Sequence, residues 1–187
     1  MTGTAVRRSE PRRVTEAQVV DAAMWLLDMG GPAAASIRRI AAAMDVAPQA
    51  VYTYFPDTAS VGRAVVERLI GEVVAATEPG TDAKSWQDDL EALALRVSRR
   101  FADHPGTVPL VVAGSTGGPN ERRLAGRVRE LLTAAGLEAR DADWGTYLIG
   151  VYVLGAATRP DSEARFVWGL RRLLAGLCVP LGANPYW

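Results

Sequence analysis

The chain is poor in the residues that carry covalent and metal chemistry. Its 187 residues hold one cysteine, Cys178, and one histidine, His104. A lone cysteine closes no intrachain disulfide, and one Cys with one His offers no zinc spacing. The two lie far apart in apolar or turn settings, so no nucleophile–base pair is visible. Lysine is as scarce: Lys84 is the only one among 21 basic residues, and the others are Arg. That bias, beside the many Ala and Gly, fits a GC-rich coding sequence better than selection for guanidinium chemistry. Net charge is absent too, since 21 acids balance 21 bases, so overall charge announces no nucleic-acid partner. No apolar stretch reaches membrane-spanning length, and the N-terminus lacks the apolar run of a signal peptide. A soluble cytoplasmic protein is expected, with no membrane partner, metal or cofactor, and not an enzyme. The loop GSTGGPN at 114–120 has the look of a phosphate cradle but lacks the P-loop Lys and follows no strand. A connection leading into a Pro-started helix is the plainer reading.

What is present is helical periodicity and a 49% hydrophobic content, ample for a core. Thr15 with Gln18 forms a capping-box pattern for a first helix, striped by Val19, Ala23, Leu26 and Leu27 and stopped by Gly30-Gly31-Pro32. Ser36 can cap a second helix, buried along Ile37, Ile40, Ala41 and Met44. Asp45 falls where the chain must reverse, and Asp tolerates left-handed backbone better than most residues. Val46 plugs the corner and Pro48 suits the first position of a third helix. That helix is expected to turn Gln49, Ala50, Thr53 and Tyr54 outward, and Val51, Tyr52 and Phe55 toward the helix before it. The pattern is a helix-turn-helix whose second helix can lie in a DNA major groove.

Asp57 can cap a fourth helix of about twenty residues with two apolar stripes, Val61, Val65, Leu69, Val73 and Val66, Ile70, Val74. A helix apolar over so much of its circumference is covered on more than one side. The turn cluster Glu78-Pro79-Gly80-Thr81-Asp82 marks the domain boundary. The division expected is a flexible Arg-rich arm over 1–14, a helix-turn-helix unit with its connecting helix over 15–76, and a second helical domain over 83–187, for which the resemblance given below implies a regulatory and dimerisation role. A merely solubilising tail is the other reading of the arm. In the second half Ser85 with Asp88 starts a helix bearing Trp86, Leu90, Leu93, Val97 and Phe101, which His104-Pro105-Gly106 ends. A short apolar run over 108–113 follows. Pro119 opens a helix with Leu124, Val128, Leu131 and Leu132 inward, and Gly136 closes it. The next carries Trp144, Tyr147, Leu148, Val151 and Leu154. After Pro160-Asp161 comes the last, with Phe166, Leu170, Leu173, Leu174 and Leu177.

The segments TEAQVVDAAMWLLDMG and SIRRIAAAMDVAPQAVYTYFPD together resemble the N-terminal domain of TetR-type transcriptional repressors. The match is carried by Ala22, Ala23, Gly30, Ile40, Ala41, Val46, Tyr52, Tyr54 and Phe55. Three positions depart from the family: Asp45 stands for Gly, Ala47 for Ser or Thr, and Thr58 for Lys. An absent cap at Ala47 costs about 1 kcal/mol, and an absent Lys removes one phosphate contact. His104-Pro105-Gly106, Gly118-Pro119-Asn120-Glu121 and residues 166–177 resemble a C-terminal regulatory domain of the same family. The resemblance implies an all-α homodimer that binds a double-stranded DNA operator of palindromic form and is released by a small-molecule inducer.

If the third helix enters the major groove, Gln49 and Thr53 are best placed for base edges. Gln pairs bidentately with adenine, and the methyls of Ala50 and Thr53 can touch thymine. Ala47 and Pro48 open the helix on the same surface. Ser36, Arg38, Arg39 and Tyr54 would bond phosphates, which position without specifying. Arg38 and Arg39 as solvated charges, and Tyr52 as a core ring, are the plainer alternatives. For the inducer, Trp86, Phe101, His104, Trp144 and Tyr147, beside Tyr152 and Trp168, form the candidate pocket, with His104 as polar anchor. Core packing for the rings and local carbonyl bonding for His104 are the alternatives. Gly145, Gly150, Gly155, Gly169 and Gly176 let the last two long helices approach a second copy, or close the monomer core. The fourth helix is the coupling candidate, so a polar group at Val65 or Leu69 should weaken both ligand response and stability. Two other readings stay open: a ligand-binding dimer without specific DNA binding, and a DNA-binding activator or architectural protein without inducer.

Overall fold

The computed structural model describes residues 14–76, 85–114, 117–158 and 162–177. Among them the fold is all-helical: α1 (Glu16–Gly30), α2 (Ile37–Ala43), α3 (Pro48–Tyr52), α4 (Thr58–Ala75), α5 (Trp86–Asp103), α6 (Val108–Val112), α7 (Pro119–Ala134), α8 (Ala139–Thr158) and α9 (Glu163–Leu177). The starts follow local chemistry. Thr15 and Gln18 cap each other across the first turn of α1, and the Ser36 hydroxyl accepts the Arg39 N–H at 3.4 Å. Asp57 and Ser60 form the same reciprocal cap on α4, with the Ser60 N–H 2.6 Å from Asp57 Oδ1. That N–H, and then the Ser60 hydroxyl, hold the Asp57 carboxyl below the usual carboxylate range. Ser85 accepts the Asp88 N–H at 3.1 Å, and Pro119 opens α7. The expected boundary at 78–82, the breaker Pro160-Asp161, Cys178 and the arm before Val14 lie outside the described residues.

Two cores result. The first gathers Val19, Ala23 and Leu27 of α1, Ile37 and Ile40 of α2, Val51 of α3, Phe55, and Val61, Val65 and Leu69 of α4. It does not end with the helix-turn-helix, because Phe101, Val108 and Ala157 from later helices belong to it. The second holds Leu90 and Leu93 of α5, Leu131 and Leu132 of α7, Ile149 and Val153 of α8, and Phe166, Leu170 and Leu174 of α9. Val73 of α4 is part of it, so α4 enters both cores, as its two stripes require.

Helix α8 corrects the sequence reading. Trp144, Tyr147, Leu148 and Val151 face solvent, whereas Ala142, Gly145, Ile149, Val153 and Ala157 face the core. A helix apolar on all sides gives periodicity no means of choosing its inner face. Close approach made the choice: a Cβ on Gly145 would sit 2.9 Å from Leu132 Cδ1, so small residues line the crossing. Trp168 on α9 is likewise exposed, not core.

Two long-range polar joints tie α4 to its neighbours. The Glu67 carboxylate accepts the N–H of Asn120 at 3.0 Å and of Glu121 at 3.2 Å, and Asn120 Nδ2 donates to the Glu67 carbonyl at 3.1 Å. Gly118 has no side chain to cap α7; Glu67 of α4 does it instead, in the space a Cβ on Gly118 would fill. The second joint runs from Asp21 to Arg68 (2.6 Å), on to Glu72, then Arg100, then His104, and ends on Asp28. It binds α1, α4 and the end of α5 in one chain.

Candidate DNA interface and ligand cavity

The turn between α2 and α3 closes with the Val46 N–H donating to the Ala41 carbonyl at 3.0 Å. Asp45 takes φ +54, the one positive φ outside glycine among the described residues. Ala47 precedes α3 with no side-chain cap bond, as its methyl dictates. Val51 and Phe55, four residues apart, lock the helix inward, and Gln49 and Thr53 are exposed on its outer side, with Ala50 half-buried. Thr53 Oγ1 donates to the Gln49 carbonyl at 3.1 Å, which leaves its methyl and lone pairs for a partner. Pro48 and Ala47 are exposed at the helix start. Arg38 and Arg39 are exposed on α2 and form no ion pair with any described residue.

Of the two tyrosines, Tyr54 is exposed as expected, whereas Tyr52 does not turn toward α2. Tyr52 is 46% exposed and faces out with Gln49, because a residue next to Val51 in a helix cannot share its face. Tyr54 donates its hydroxyl to the Val14 carbonyl at 2.7 Å, so that proton is spent on α1's entry rather than on a phosphate. Ala47→Ser should supply an acceptor for the first-turn N–H of Gln49, since that of Ala50 already donates to the Ala47 carbonyl at 2.9 Å. The expected gain is about 1 kcal/mol, read as a higher urea midpoint at constant slope.

Between α4, α5, α6, α7 and α8 lies a cavity of about 360 Å³, walled by aliphatic and aromatic side chains such as Ile70, Leu93, Phe101, Val111, Leu124 and Ile149. Its polar lining comes from Glu121, Thr146 and Tyr147. Of the five residues expected at a ligand site, Phe101 and Tyr147 meet here, and Trp86, His104 and Trp144 do not. Trp86 packs on the second core, and Trp144 lies on the surface with the Arg140 guanidinium 4.1 Å above its ring. His104 is in the joint to α1: Nδ1 is 2.7 Å from Asp28 Oδ2 and Nε2 is 2.8 Å from Arg100 Nη1. A guanidinium only donates, so Nε2 accepts and Nδ1 carries the proton given to Asp28. The His104 ring therefore joins the two halves of the chain, with neither the cavity nor local carbonyls as its partner. The residues that do line the cavity carried no sequence signal beyond ordinary helical stripes.

No group of three or more His, Cys, Asp or Glu among the described residues is placed to hold a metal, and no described helix is long and apolar enough to cross a membrane.

The model of the family described as bacterial regulatory proteins, tetR family, matches residues 19–65, and that of the tetracyclin repressor-like C-terminal domain matches 78–162. An HTH-type transcriptional regulator of Saccharopolyspora erythraea is 28% identical over 155 residues, 83% of this chain and 62% of that protein. The chain spans about three-fifths of the length of the curated relatives it matches. Among solved structures, apo ActR from Streptomyces coelicolor superposes with a TM-score of 0.78 at 21% identity, covering 90% of this chain and 97% of that one. BioQ, a protein solved with its double-stranded DNA operator, gives 0.75 at 25% identity, covering 88% and 98%.

Proposed function

Since this chain belongs to the TetR family of bacterial regulatory proteins, we propose that it is a transcriptional repressor released from its operator by a small molecule. It acts as a homodimer, with a DNA-reading unit over 15–76 and a regulatory domain over 83–187. The observation that carries the reading is α4. One helix buries Val61, Val65 and Leu69 in the core under the recognition helix and presents Ile70 to the cavity. A ligand that displaces α4 therefore displaces the helix-turn-helix. BioQ's operator complex supports the DNA half of this reading.

The dimer surface is the outer face of α8 and α9. Trp144, Tyr147, Leu148, Val151 and Trp168 are exposed there, an apolar patch of the kind that marks an interface. The glycines divide accordingly. Gly145 and Gly169 serve packing within the chain, against Leu132 and Tyr152, and Gly150 lines the cavity, whereas open space lies ahead of Gly155 and Gly176. Two-fold pairing sets the recognition helices about 34–36 Å apart, or a multiple of that, on one DNA face. Release then requires a coupling of about 1–3 kcal/mol between ligand and operator. Val65 and Leu69 are fully buried, so polar groups there would unfold the unit; Glu67, reaching α7, is the α4 side chain that can be altered to test coupling.

A salt titration of duplex binding tests the DNA half. Log affinity should fall linearly with log salt, and Arg38→Ala or Arg39→Ala should each reduce the slope by about 1 while weakening all sequences alike. Salt-insensitive binding would favour the other reading, a ligand-binding dimer without specific DNA contacts, toward which the uncapped α3 and the positive φ of Asp45 point.

A further inference from the structure

We propose that the cavity selects an amphiphilic cation: an apolar body with one protonated amine whose N–H groups engage Glu121. This rests on the ligand-responsive reading above and names the class of molecule that its cavity takes.

The polar groups on the wall decide the class. Glu121 is the one carboxylate among the described lining residues, and none of them is Arg, Lys or His. The neighbouring guanidiniums are turned elsewhere: Arg122 Nη1 donates to the Gly117 carbonyl, and Arg123 Nη1 donates to Asn120 Oδ1 at 3.3 Å. The hydrogen bond that the Glu121 carboxylate accepts comes from the Gly117 N–H, a neutral donor. Glu121 thus lines the cavity with no cationic partner for its carboxylate among the described residues. Thr146 adds a second acceptor, because its hydroxyl proton is already given to the Ala142 carbonyl at 2.8 Å. Tyr147, exposed at the mouth, can accept or donate.

A ligand filling the aliphatic space strips water from Glu121, and an uncompensated carboxylate under apolar atoms is costly. A neutral apolar molecule leaves that cost standing, and an anion adds like-charge repulsion. An ammonium removes it with a charge-assisted hydrogen bond. The volume of about 360 Å³ lies in the range that holds drug-sized molecules. Position makes the contact legible to the rest of the protein, since Glu121's own N–H is held by Glu67 of α4 at 3.2 Å. A cation that draws Glu121 into the cavity pulls on the first turn of α7 and, through it, on α4.

The test uses one chain length with three heads. Decylammonium, decanol and decanoate, below their micelle-forming concentrations near pH 7, compete with the neutral fluorophore N-phenyl-1-naphthylamine on the full chain. Decylammonium should displace it at about tenfold lower concentration than decanol, and decanoate should be weaker than either. In Glu121→Gln the preference for the cation should shrink to about threefold or less, with saturation by the fluorophore and an unchanged melting midpoint showing that the cavity is still formed. Equal displacement by all three heads, a preference for decanoate, or a cation preference that survives in Glu121→Gln overturns the proposal while leaving a ligand cavity in place. A fluorophore that does not bind wild-type protein at all overturns it together with the ligand-responsive reading.

Discussion

Gly106→Ala is expected to destabilise the protein by about 3 kcal/mol, a large effect for one methyl group. Gly106 lies in the 3-10 turn Pro105–Thr107, against the last turn of α1. A Cβ there would overlap the carbonyl oxygen and carbon of Leu27 and lie 2.9 Å from the Asp28 nitrogen. These are helix backbone atoms, which no rotamer can move aside, so α1 and the turn must separate. Separation breaks more than one contact. His104 loses Asp28, and Val108 and Phe101 are drawn from the core they share with α1. Thr107, fully buried with its hydroxyl on the His104 carbonyl at 2.6 Å, is disturbed as well. Urea unfolding should show a lower midpoint at constant slope. Operator binding should fall with it, because the turn seats the helix-turn-helix on the regulatory half. His104→Ala gives the milder contrast, removing the polar joint without overlap, at about 1.5–3 kcal/mol for a hydrogen bond to a charged group. A Gly106→Ala protein that melts like wild type would show that α1 does not sit on this turn.

Leu148→Glu combined with Trp168→Glu should have the second large effect, on assembly and not on folding. Both side chains are exposed, at 44% and 63%, so charge there costs the monomer little. Neither lines the cavity, so ligand binding is not directly touched. On the paired face they would place like charges and unpaired carboxylates within a buried apolar contact, which such interfaces do not accommodate. Light scattering on a sizing column should show dimer converted to monomer. Operator affinity should fall on the order of 100-fold or more, since the second half-site no longer binds as part of one molecule. A dimer that persists in the double variant would move the interface elsewhere.

Local chemistry was legible in the sequence, and long-range chemistry was not. The caps at Thr15, Ser36, Asp57 and Ser85 depend on residues three apart, and each stands where the sequence placed it. The reversal at Asp45 and the two stripes of α4 were readable for the same reason. His104 instead finds a partner 76 residues away, and Glu67 caps a helix 53 residues on. No periodicity announces such pairs. The inner face of α8 was hidden because both its faces are apolar, and only the approach of α5, α7 and α9 decides between them. Tyr52 shows the shorter limit: at a helix end, its direction depends on where the last turn stops. The cavity is the space the stripes of five helices fail to fill, and the carboxylate among its described lining residues could be named only once the walls were placed.

The central claim is that this chain reads a specific operator as a dimer. Selection of bound duplexes from a random pool at near-physiological salt tests it most directly. The account requires a near-palindromic site whose half-sites are centred one helical turn apart, or a multiple of it, with adenine-bearing pairs where Gln49 meets the groove. Weak, sequence-indifferent enrichment from that pool would contradict it.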